Sequence, residues 1–207
     1  MMNFTPLAQD QDAVNRWTVM ADKKFNSLVG FVSIHPDMKG DLVKRLKKIK
    51  RQGKLKGLKI NPSFQEVLPD HPRLMAVYEY CESAHIPVVF HAGAAEGIIR
   101  NEYGYSDINN FIPVLEKFPR LTVVLAHMGG LGDADRAVSI AKKYPQVYFD
   151  TSIAVSGNPL LKCIKGGLDD QEAVTFIRAI GAGRILFGSD SPLGFAEDDI
   201  DRIRRLP

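Results

Sequence analysis

The sequence predicts an α/β protein of the (β/α)8 TIM-barrel type, incomplete, and two observations carry that prediction. Short apolar runs alternate with amphipathic stretches along the 207 residues, and run after run ends in a reactive or small polar residue. Several runs are apolar at every position, as suits parallel strands covered on both faces. Their spacing of about 25 to 40 residues is the length of one strand-plus-helix unit.

Taken in order, Leu28–Ile34 leads to His35, Leu58–Ile60 to Asn61, and Pro87–Phe90 to His91. Leu121–Ala126 leads to His127, Val147–Phe149 to Asp150 and Ser152, and Ile185–Phe187 to Ser189 and Asp190. Between them the periodicity predicts helices over Asp41–Arg51, His71–Ala84, Asn109–Phe118, Asp133–Lys143 and Gln171–Ile180, with Asp41, Asp133 and Asp170 as N-caps. Periodicity alone does not separate an open sheet from a barrel. An open sheet feeds its ligand from a couple of strand ends at one switch point, whereas a barrel converges all its strand ends on one axial site. Chemistry at nearly every strand end favours the barrel. Met1–Thr5 reads as the tail of one more strand. The expectation is a single domain over 1–207 that lacks strand one, part of strand two and the final helix.

The apolar fraction of 45% and charged fraction of 25% are those of an ordinary globular protein, and a formal charge of +3 is too small to argue for a nucleic-acid or membrane partner. Lys44, Arg45, Lys47, Lys48, Lys50 and Arg51 interleave with Leu42, Val43, Leu46 and Ile49, the pattern of a solvated helix face. Cys81 and Cys163 share no metal or redox spacing and read as reduced thiols. No run is long enough to span a membrane, and Met1–Pro6 has no signal-peptide pattern. The expected partner is a small-molecule substrate, the expected location the cytoplasm, and assembly into a homo-oligomer is left open.

The chemistry concentrates in three segments: Pro87–Gly93 (PVVFHAG), Leu125–Gly130 (LAHMGG) and Ile185–Pro192 (ILFGSDSP). Each sets an imidazole or carboxylate at the carboxyl end of an apolar run, followed by glycine or proline. Imidazole nitrogen and carboxylate oxygen suit Zn²⁺ and similar divalent ions. The competing reading is a set of core histidines and a helix-capping aspartate.

These segments, with Gly57–Ile60, Phe118–Leu125 and Val147–Ser152, resemble the amidohydrolase-related metal-dependent hydrolases, in the branch that includes aminocarboxymuconate-semialdehyde decarboxylase and related aromatic-acid decarboxylases. The resemblance runs from about Asn15 to Pro192. It implies His91 as the metal ligand of the fifth barrel strand, Asp190 as ligand and catalytic residue of the eighth, and His127 as the catalytic group beside the metal. The implied cofactor is a divalent ion, zinc by expectation. The chain departs from the pattern in one respect: the His-x-His pair of the family's first strand occurs nowhere in it.

Lys59 reads as an ion-paired or substrate-facing residue, and Arg100, in the long loop with Tyr103 and Tyr105, as a partner for a substrate carboxylate. Asp150 either orients the site or bonds backbone amides in its own turn. His35 reads as a surface or supporting residue, His71 and His85 as structural. The expected function is a metal-dependent hydrolase or non-oxidative decarboxylase acting on a small carboxylated substrate. The alternative is a catalytically inactive barrel remnant.

Overall fold

The computed structural model describes residues 1–52, 55–93, 104–156 and 167–207. Six strands, β1 (Val32–Ser33), β2 (Leu58–Ile60), β3 (Val88–Phe90), β4 (Val123–Leu125), β5 (Val147–Asp150) and β6 (Ile185–Leu186), lie side by side in chain order, every pair parallel. That order never reverses, so the sheet has no switch point and is a barrel wall. The wall stays open, because β1 and β6 do not meet. Ahead of β1, Met2 bridges Phe31 in parallel, and Met1 bonds to Val29 and Phe31. Residues 29–31 therefore pair with the first residues of the chain, which is why the run Leu28–Ile34 contributes only two residues to the main ladder.

Strand alternation sorts the side chains. Val32, Leu58, Val88, Val123 and Val147 stand in one register row, and Ile60, Phe90, Leu125 and Phe149 in another; all pack in the main hydrophobic core. The row between them, Ser33, Lys59, Val89, Val124 and Tyr148, faces the other way, toward the interior of the wall. The next polar positions, Asn61, His91 and Asp150, lie at the carboxyl end.

The helices are α1 (Gln11–Lys24), α2 (Leu42–Gln52), α3 (Pro62–Gln65), α4 (Pro72–Ser83), α5 (Ile112–Lys117), α6 (Ala134–Lys143), α7 (Asp170–Ile180) and α8 (Ala196–Arg204). The Asp41 carboxylate caps α2 through the Lys44 amide, as expected. Asp133 stands at the N-cap of α6 as expected, although its side chain makes no cap bond and pairs with Arg136. One cap expectation needs correction. At α7 the cap is Asp169, not Asp170, because Glu172 stands three residues later and completes a reciprocal capping box. The stretch Asn109–Phe118 divides into a 3-10 turn over Ile108–Phe111 and α5. Nine residues of helix follow the Asp190 turn, where the sequence reading had the helix broken off.

Helix α1 is absent from the sequence reading for a physical reason: its buried face is polar. Gln11, Asn15, Thr18 and Asp22 point inward at helical spacing, while Trp17 and Met20 are 58% and 69% exposed. The edge of a sheet presents backbone donors and acceptors, and this helix answers them. The Asn15 amide accepts from the Ser33 N–H at 2.9 Å and donates to its C=O at 2.8 Å, and Asp22 accepts from Gly30 at 3.0 Å.

Candidate active site

His91 directly follows β3, and His127 stands two residues beyond β4. Their loops touch backbone to backbone. A Cβ built on Gly93 would fall 2.4 Å from the Gly130 Cα, and one on Gly130 would fall 2.7 Å from the Gly93 Cα. The glycines after each histidine are thus required for the two strand ends to close on each other, and their φ values of +78° and +117° are ones that residues bearing a Cβ rarely adopt. The result is a direct bond: His127 Nε2 lies 2.9 Å from His91 Nδ1, with the rings edge to face. Both side chains are buried, and His91 Nε2 has no hydrogen-bond partner among the described residues.

The other face of His127 is held by the turn after β5. Its Nδ1 lies 3.0 Å from the Ser152 carbonyl oxygen and 3.1 Å from Ser152 Oγ. Asp150 Oδ1 accepts from the His127 backbone N–H at 3.0 Å, from the Ser152 N–H at 3.1 Å, and from the Ser152 hydroxyl. Asp150 therefore bonds a backbone amide in its own turn, one of the two readings the sequence left open, and also reaches the His127 amide on the neighbouring strand end. The backbone here is strained. His127, Met128, Ile153 and Asp190 all have φ between +52° and +59°, a region costly for side chains bearing a Cβ, and such outliers cluster at working sites.

Lys59 rises from the interior row of β2 and is 7% exposed. Burial lowers the pKa of its ammonium, opposed by the negative charges of Asp150 and Asp190. Burial likewise holds His91 well below the ordinary histidine range, reinforced by His127 and Lys59. Asp190 stands in the turn after β6 and is exposed. His91, His127, Asp150 and Lys59 are therefore gathered in one place; Asp190 belongs to their electrostatic surroundings through Lys59. Among the described residues, no three His, Cys, Asp or Glu side chains cluster as a metal cage. Arg100, Tyr103 and Cys163 lie outside the described residues.

Two of the remaining histidines make local bonds to backbone amides. His71 caps α4, with Nδ1 accepting from the Arg73 amide, and His35 is buried, with Nδ1 accepting from Asp37. Asn61 caps α3. Cys81 is buried in the core, its thiol pushed up to about 12 by desolvation, which makes it inert as a nucleophile. Surface hollows between α5 and α6 (Asn109, Arg136, Lys143) and between α6 and α7 (Val138, Gln171, Phe176) lie among the helices rather than at the strand ends. Sequence reasoning gave Ser152 no role. Its signal was present in the spacing Asp-x-Ser at a strand end, a pattern in which the aspartate bonds the serine two residues on.

Residues 7–202 match the family described as Amidohydrolase. The chain belongs to the amidohydrolase family. No curated protein sequence matches it. Among solved structures, it is similar to an uncharacterized TIM-barrel protein from Bordetella bronchiseptica (TM-score 0.71, 22% identity, covering 93% of this chain and 65% of that one). It is similar to 5-carboxyvanillate decarboxylase from Sphingomonas paucimobilis (0.69, 18%, covering 97% and 67%). A third is a dihydroxybenzoic acid decarboxylase from Polaromonas sp., with bound manganese and the inhibitor 2-nitroresorcinol (0.69, 16%, covering 99% and 72%). At these identities the likeness speaks for the fold, which is that of an amidohydrolase barrel with its wall open. The chain spans 65% of the length of the first of these relatives. None of its described helices is long and apolar enough to cross a membrane.

Proposed function

We propose that this amidohydrolase chain forms, as one domain over residues 1–207, the larger part of a metal-dependent enzyme that acts on a small carboxylated substrate. Non-oxidative decarboxylation is the first reading and hydrolysis the second. The observation that carries the proposal is the buried, unpartnered Nε2 of His91, beside the bonded His127 at the carboxyl end of a parallel wall. A buried polar atom without a partner is costly, and an imidazole nitrogen in that condition fits a divalent ion. His91 and Asp190 would hold the ion, and a family-type site needs further ligands beyond them. A divalent ion bound there supplies Lewis acidity toward substrate oxygens. The manganese of the Polaromonas relative makes Mn²⁺ as good an expectation as Zn²⁺.

The chain's own residues have separable duties in this reading. Lys59, and Arg100 in the β3–β4 loop, pair with the substrate carboxylates. His127 moves the proton, delivering it to the carbon that loses CO2 in the lyase version and shuttling it in the hydrolytic one. The decarboxylase names of two relatives favour the lyase version. The site is expected in the cytoplasm, and the apolar side chains exposed at both ends of the wall are compatible with a homo-oligomer.

The competing reading, a catalytically inactive remnant, draws on the open wall and on the lack of a three-donor cluster among the described residues. Metal analysis and turnover of the protein carrying His91→Ala, Asp190→Ala or His127→Asn decide between them, with zinc and manganese assayed separately. The first two variants should lose metal together with activity. His127→Asn should keep most of its metal and lose roughly 10²–10⁴-fold in rate, the usual worth of a positioned acid–base group. Should His127→Asn lose metal as completely as the others, the division of roles fails. A wild-type protein that binds neither ion and releases no CO2 from any carboxylated aromatic would leave the remnant.

A further inference from the structure

We propose that Asp150 is a positioning residue that sets the tautomers of both histidines, His127 directly above it and His91 one bond further on. Donors and acceptors link the three residues in a chain. The Ser152 hydroxyl has one proton, and it goes to Asp150 Oδ1. Facing His127 Nδ1, that hydroxyl oxygen can only accept. So can the Ser152 carbonyl oxygen, 3.0 Å away. Two acceptors at one ring nitrogen require that nitrogen to carry hydrogen.

A neutral imidazole has one N–H, so His127 Nε2 presents a lone pair. His91 Nδ1, 2.9 Å from that lone pair, must then be the donor. The consequence falls on the last atom of the chain. His91 Nε2 is left as a bare lone pair, buried and unpartnered. Reversing any one bond would put a proton on that nitrogen and close it as a ligand. The Ser152 N–H and the His127 N–H both end on the same carboxylate oxygen. The carboxylate thereby also pins His127 in its left-handed conformation (φ 59°) and holds the Ser152 turn at the distance that presents both acceptors.

The hydrogen-bond direction stands on this geometry alone. Its catalytic meaning, a ligand nitrogen kept free on His91 and a proton-carrying His127 kept in one orientation, rests on the function proposed above. Asp150 touches neither substrate nor metal in that scheme and acts through Ser152 and His127.

The test is ¹⁵N NMR of the histidine side chains in the metal-free protein, well above histidine's ordinary pKa of about 6.5. The tautomers are read from pyrrole-type and pyridine-type nitrogen shifts and their couplings to the ring protons. In the wild type, His127 and His91 should each be protonated on Nδ1 and bare on Nε2, the tautomer opposite to the one exposed imidazoles favour. Asp150→Ala frees the Ser152 hydroxyl to donate to His127 Nδ1, so both rings should show mixed tautomers although neither has been changed. Asp150→Asn keeps an oxygen acceptor in the same place and should restore the single tautomer at both. A wild-type His127 protonated on Nε2 would overturn the proposal. So would an Asp150→Ala protein whose rings stay in the wild-type state, or an Asp150→Asn protein whose rings are mixed. If Asp150→Ala does not fold, the wild type and Asp150→Asn still decide. Because no metal is present, correct tautomers in a protein that binds no divalent ion would sink the proposed enzyme and leave this inference standing.

Discussion

The strand ends of β3, β4 and β5 and the end of β6 carry the same kind of sequence, an apolar run followed by a ligand-type residue and a turn, and they have different physical states. At β3 to β5 each strand has a neighbour on both sides. His91, His127, Asp150 and Ser152 are buried there and tied to one another by six hydrogen bonds. At β6 only β5 is a neighbour. Leu186, Phe187, Leu193 and Phe195 are 44% to 53% exposed, and Asp190 stands in solvent. The local sequence can aim a ligand, but burial and partners on both sides are what fix it.

Core substitutions give the largest expected contrast. Phe149, buried on β5 and edge to face with Phe176, should cost roughly 3–5 kcal/mol when cut to alanine. Phe187, half-exposed beyond β6, should cost no more than about 0.5 kcal/mol as serine. Urea unfolding of the two variants reads both values. Equal losses would mean that the β6 end is as well packed in solution as the centre.

Glycine substitutions sharpen the same comparison. Gly93→Ala forces a Cβ into the Gly130 backbone at a positive φ and should lose at least about 2 kcal/mol, and with it the approach of His91 to His127. Gly183→Ala, next to β6, meets nothing within 4 Å and should stay within about 0.5 kcal/mol. A Gly93→Ala protein of wild-type stability would show that the two histidine loops are not packed together.

The smallest effect concerns pH. Burial lowers the pKa of His35 below the ordinary histidine value of about 6.5, against the pull of Asp37, and it lowers that of His91 further. The unfolded chain therefore binds more protons than the folded one as the pH falls below that value, so stability declines on acidification through this window. Replacing His35 with glutamine removes one of the two contributions, and the slope of unfolding free energy between about pH 7 and 5 should become shallower. An unchanged slope would mean that His35 titrates normally in the fold.

Much of this was legible without coordinates. The six strands, their parallel order and the seats of His91, His127 and Asp190 at carboxyl ends follow from runs that are apolar at every position and stop at a polar residue. These are local features, and strand register preserves them. Where the sequence misled, a local rule met a tertiary demand. The polar inner face of α1 is unreadable as amphipathicity because it serves a sheet edge, and at the N-cap of α6 the Asp133 side chain turned to Arg136 instead of to a helix amide. Which nitrogen of His91 is bare, which glycines touch and what Asp150 holds were decided only by the tertiary structure. Those contacts join residues 23 to 37 positions apart. Hydrogen-bond direction, unlike hydrophobic period, belongs to the neighbours that the fold brings together and leaves no repeat in the chain.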